Sequence, residues 1–107
     1  MIAILSLMTV NAEAADVYES YVSNCKSRVK TLPGTDYSAE SAHTICMCIK
    51  NGFESTPSVK SETLRKLIDY RKKYGHKSPV GAVKTDDLNI LLEFEGQLFD
   101  ECVNPDN

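Results

Sequence analysis

The chain carries none of the compact motifs that announce a reaction. It has no CxxCH run for haem attachment and no GxSxG elbow for a nucleophilic serine. Its two histidines, His43 and His76, lie far apart in sequence. Apolar runs are short. The stretch Ile2–Val10 is interrupted by Ser6 and Thr9 and falls well below the roughly 20 residues that span a bilayer as a helix. Positive charge is not in excess: 12 Lys and Arg against 15 Asp and Glu give a formal net charge of −3. That balance argues against a nucleic-acid partner and supplies no pull toward anionic membranes. There are no internal repeats and no low-complexity tracts. No segment alternates with period two, and Val80–Val83 is the one short apolar patch compatible with extended backbone. The 107 residues suffice for one domain.

What is present begins with MIAILSLMTVNAEA. An apolar run followed by Ala12-Glu13-Ala14, with small residues at the two positions a signal peptidase reads, has the layout of a secretory signal. The expectation is a signal peptide over 1–14, cleaved after Ala14, and a helical domain over 15–107. No Lys or Arg precedes the run, so either the α-amino group supplies the positive charge or the true start lies upstream. Losing Glu13 with the signal leaves 93 residues and a net charge of −2. All four cysteines, Cys25, Cys46, Cys48 and Cys102, fall in that part. An even count in a small exported chain reads as two disulfides.

The periodicity predicts an all-α fold, a small four-helix domain stapled by two disulfides. A first helix over about Asp16–Thr31 carries Val17, Tyr18, Tyr21, Val22, Cys25 and Val29 as one stripe. Pro33-Gly34 ends it. A second over about Ala39–Glu54 has Ser38 or Asp36 as cap, with Ala42, Cys46, Ile49 and Phe53 inward. A third over about Val59–Tyr74 turns Leu64, Leu67, Ile68 and Tyr74 inward and ends at Gly75. A fourth starts after Thr85 or Asp86, carries Leu88, Leu91, Leu92, Leu98, Phe99 and Cys102, and stops before Pro105.

Cys46 and Cys48 pose the sharpest question. Residues i and i+2 of an α-helix point about 200° apart. Two thiols so placed neither bond each other readily nor chelate one ion. Each therefore reaches a different partner, Cys25 on the first helix or Cys102 on the fourth. Counting from the hairpin loop slightly favours Cys25–Cys46 with Cys48–Cys102 over Cys25–Cys48 with Cys46–Cys102. A two-residue error is only about 3 Å along the axis, so the crossed set stays open. A thiol–disulfide enzyme using the CxC pair is the competing reading, with Lys50 and His43 near enough to lower a thiol pKa. A soft metal site from His43, Cys46 and Met47 is a weaker one. The expectation is no catalytic residue, no metal and no cofactor.

Charge is segregated. Seven of the twelve basic residues lie between Lys60 and Lys77, and seven of the fifteen acids between Asp86 and Asp106. This suits neighbouring third and fourth helices with attracting flanks, and also a charged face for a partner. Among the acids Glu93, Glu95, Asp100 and Glu101, Glu95 sits inside the apolar stripe, and its expected partner is Arg71 at the edge of the core. Tyr37 and Tyr70 fall off the stripes and read as partner contacts. The loop Gly75–Thr85 is long for a helix connection, and His76, Lys77, Pro79, Val80 and Val83 join them as candidate partner-binding residues.

A signal sequence, a Cys on the second helix followed by an IKNGF turn, SETLRKLIDYRKKY before a Pro-containing loop, and a last helix ending in Cys together form a recognisable layout. It resembles the small periplasmic immunity proteins that neutralise cell-wall-degrading effectors of type VI secretion systems. The CMC pair departs from the single Cys of that layout. The resemblance implies a periplasmic or secreted domain that binds one protein partner, an effector or enzyme, and performs no chemistry. An acid-stress periplasmic chaperone, dimeric at neutral pH and opening as carboxylates protonate, is the alternative among binding proteins.

Overall fold

A computed structural model describes the backbone of residues 2–32, 34–75 and 86–104, and the side chains of 16–32, 34–75 and 87–104. Four helices follow in order: α1 (Ile2–Lys30), α2 (Ala39–Glu54), α3 (Ser61–Tyr74) and α4 (Asp86–Val103). Among the described residues there is no strand. None of these helices, over the described residues, is long and apolar enough to cross a membrane.

α1 starts at Ile2 rather than near Asp16. Neither Pro nor Gly interrupts 2–30, and Ala, Leu, Met and Glu recur there, so nothing in the backbone preference breaks the helix at residue 15. α2 begins at Ser38, whose side chain accepts the Ser41 N–H at 3.1 Å, an N-cap bond that satisfies one orphan donor. At its far end Ser55 N–H donates to Asn51 O at 3.0 Å. IKNGF lies wholly inside this helix and forms no turn. α3 opens at Ser61, two residues later than the pattern placed it, because Lys60 at the cap remains extended. It closes where Gly75 takes φ +63°, a backbone region that glycine enters without a Cβ clash.

Each helix packs on two others: α1 on α2 and α3, α4 on α2 and α3. α1 and α4 therefore stand diagonally across the bundle, as do α2 and α3. The pairs Cys25–Cys46 and Tyr21–Phe53 show that α1 and α2 run antiparallel. Cys48–Cys102 and Phe53–Phe94 show the same of α2 and α4. The core holds Val17, Tyr21, Cys25 and Val29 of α1, Ala42, Ile45, Cys46, Ile49 and Phe53 of α2, Leu64, Leu67, Ile68 and Tyr70 of α3, and Leu88, Leu91, Leu92 and Leu98 of α4. Phe53 stands at its centre, edge-on to Tyr21 at 5.1 Å and tilted against Phe94 at 5.8 Å.

The disulfides are Cys25–Cys46 and Cys48–Cys102, each with Cα atoms 5.9 Å apart. α2 is thereby bonded to α1 on one side and α4 on the other, as opposite-facing thiols require. One turn from the second disulfide, Gly52 lets α4 approach closely. A Cβ there would stand 2.6 Å and 2.9 Å from the two Leu98 methyls.

Candidate functional site

Two features organise the polar chemistry: a buried carboxylate and an open groove. Glu95 is 4% exposed and faces the diagonal of the bundle. Arg71 Nε of α3 donates to its Oε1 at 2.9 Å. Arg28 Nη2 of α1 donates to its Oε2 at 3.1 Å. The Tyr21 hydroxyl donates to the same Oε2 at 2.5 Å. Both carboxylate oxygens are thus engaged, by donors from two helices. Arg28 is held in turn by Asn24 Oδ1 at 2.7 Å, and Arg71 Nη1 reaches Gly75 O at 3.1 Å. Among the described residues no buried side-chain nitrogen or oxygen lacks a partner.

Burial pushes the Tyr21 hydroxyl well above its usual pKa of 10.0, and the charge of Glu95 and the hydrogen bond to it push the same way against a smaller opposing effect of Arg28. A cavity of about 290 Å³ lies beside the cluster, bounded by Cys25, Val29, Ile49 and Phe99 as well as the two arginines. The arrangement is a closed ionic lock between helices. The expected Arg71–Glu95 pair is present, and Arg28 and Tyr21 are partners that sequence spacing does not reveal.

The groove, about 580 Å³, runs between the α2–α3 connection and α4. Thr56, Ser58, Val59, Lys60 and Thr63 form one wall; Asp87, Ile90, Glu93, Phe94 and Gln97 form the other. Ile90 is 64% exposed on its rim, and Val59 and Phe94 present half-buried apolar surface inside. Lys60 lies on one wall and Asp87 and Glu93 on the other. This is an apolar centre with a charged margin, the anatomy of a protein-contact patch. Ile90 is a weak signal for it in the sequence: it lies off the apolar stripe, flanked on the helix surface by Asp87 and Glu93.

The expected contact residues fare differently. Tyr70 is buried, 8% exposed, and its ring is tilted against that of Tyr74 at 4.8 Å, whereas Tyr74, expected inward, is 40% exposed. α3 packs against both α1 and α4, so its buried arc is wider than one stripe and takes in Tyr70, while Tyr74 sits in the last turn. Tyr37 is half-buried and packs against the core. His76, Lys77, Pro79, Val80 and Val83 lie outside the described residues. His43 is exposed, Met47 is half-buried, and Cys46 is fully buried with its sulfur bonded to Cys25, so that sulfur is not a free thiolate ligand beside them. Among the described residues no group of three or more His, Cys, Asp or Glu is placed to hold a metal. Cys46 and Cys48 are bound to different helices, and all four cysteines are paired.

No protein-family model, no curated protein and no solved structure matches the chain.

Proposed function

We propose that the chain is an exported protein-binding domain that works in the periplasm or outside the cell as an immunity or inhibitor protein, occluding a toxic effector or enzyme. Ile90 is the observation that carries the reading. A large aliphatic side chain, 64% exposed at the rim of a half-apolar groove, has no role in the fold's own core, and a partner that covers the exposed part recovers about 1–2 kcal/mol of hydrophobic free energy. Two disulfides support an oxidising compartment, and the apolar run ending in Ala12-Glu13-Ala14 supports export to it. The bundle is rigid by covalent and ionic ties, so little ordering entropy is lost when it docks. The polar cluster at its heart is satisfied internally, and the open groove offers the surface for a partner.

The test has two arms. Exported protein is sequenced from its N-terminus, and Ala15 is expected as the first residue. The purified chain is then titrated against the product of the neighbouring reading frame, with Ile90→Asp as the matched variant. A stable complex that silences the partner's activity, weakened about 30-fold or more by Ile90→Asp, supports the reading. No complex, or one indifferent to that substitution, overturns the assigned surface.

A further inference from the structure

The two disulfides share a helix but not an environment. Cys25 and Cys46 are 1% and 0% exposed and lie in the core with Ile45 and Ile49. Cys48 is exposed, with exposed Thr44 and Asn51 one turn to either side, and Cys102 is half-buried, one residue from the end of α4. Thiol–disulfide exchange requires an attacking thiolate to reach a sulfur, so access separates the two bonds. α4 has ties to the bundle besides the outer bond. Leu88, Leu91, Leu92 and Leu98 are buried along it, and Glu95 is locked to Arg28, Arg71 and Tyr21.

We infer that Cys48–Cys102 is an exchange site, opened in the native fold by a dithiol reductant, while Cys25–Cys46 stays closed. A thiolate of the dithiol attacks the Cys48 sulfur, and the bond to Cys102 breaks. Cys102 leaves as a thiolate and takes up a proton. The second thiol of the reductant then displaces the Cys48 sulfur from the mixed disulfide. The reductant leaves as its own disulfide, and two electrons have passed to the chain. The product is a folded domain whose α2–α4 seam carries two thiols. Cys48 then becomes a point for covalent capture by another thiol, on the face of α2 opposite Cys46.

Native protein treated with a limiting small dithiol, quenched by alkylation and mapped by peptide mass tests this directly. Label is expected first on Cys48 and Cys102, on the order of 100-fold faster than on Cys25 and Cys46, because a core bond reacts only from opened molecules. Helicity by circular dichroism is expected to hold through that first step. A Cys48→Ala/Cys102→Ala variant provides the second reading: its remaining bond is expected to resist the same dose. Simultaneous opening of both bonds, prior labelling of Cys25 or Cys46, or collapse of helicity with the first bond overturns the inference. If the variant does not fold, the order of labelling in the native chain decides alone.

Discussion

Tyr21 and Glu95, 74 residues apart in the chain, share a hydrogen bond of 2.5 Å across the bundle diagonal. They belong to α1 and α4, which do not pack along each other. The bond and the adjacent Arg28 contact are thus direct ties between two helices that otherwise communicate through α2 and α3.

Replacing Glu95 with Leu leaves the guanidinium groups of Arg28 and Arg71, 12% and 11% exposed, without their shared counter-charge. Breaking a buried pair from one side costs about 3–5 kcal/mol. Denaturant unfolding is expected to show a loss of that size, and adding Arg28→Met and Arg71→Met is expected to restore much of it. A loss below about 1 kcal/mol would place the cluster with exposed ion pairs.

Stability is expected to fall at alkaline pH through Tyr21. Its folded pKa lies well above 10.0, the value it returns to on unfolding. Above pH 10 the unfolded state releases that proton and the folded state keeps it, so the contribution is complete below pH 10 and lost as pH climbs toward the folded value. Tyr21→Phe is expected to flatten this alkaline slope, while costing about 1.5–3 kcal/mol at neutral pH for a lost bond to a carboxylate. Urea midpoints from pH 8 to 12 check both. An unchanged slope in Tyr21→Phe would refute the assignment.

The disulfides should not be equal in cost. Chain entropy favours Cys48–Cys102, whose separation of 54 residues gives about 4 kcal/mol against about 3 for the 21 residues of Cys25–Cys46. Burial reverses the order. Cys25→Ala/Cys46→Ala also empties core volume, at ~0.8 kcal/mol or more for each group of methylene size. The inner pair is therefore expected to give the less stable variant. A thermal melt ranking the outer pair as costlier would mean that loop closure outweighs packing here.

Gly52→Ala sets two effects against each other. Alanine in a helix interior gains about 0.5–1 kcal/mol over glycine, and overpacking costs about 1–3. The new methyl would meet both Leu98 methyls, and the neighbouring Cys48–Cys102 bond holds α2 and α4 from sliding apart. A net loss of about 1–2 kcal/mol is expected, absent when Leu98→Ala is the background. A stabilised Gly52→Ala would show that Leu98 rotates away freely.

The bundle was legible where one helix face decides the outcome. The stripes of α2 and α4 read directly as core, and the 200° divergence of Cys46 and Cys48 required two separate partners. Arg71 and Glu95 could be paired because each sits on the inward face of neighbouring helices. Arg28 and Tyr21 could not, since nothing local says which residues of α1 meet α4 across a diagonal. Tyr70 is buried and Tyr74 exposed, the reverse of the stripe reading, because α3 is flanked on two sides, a fact of assembly rather than of period. The groove as a whole is not written in any one helix for a similar reason. Its walls come from the α2–α3 connection with the start of α3 and from the first three turns of α4, and Ile90's exposed position becomes a groove rim only when they meet.

The covalent pattern also governs what a single break in the chain can do. A cut anywhere over 26–45 leaves its two pieces joined through Cys25–Cys46, and a cut over 49–101 leaves them joined through Cys48–Cys102. A host protease that nicks the stretch between α3 and α4 therefore releases nothing, and the severed molecule keeps both faces of its groove on one particle.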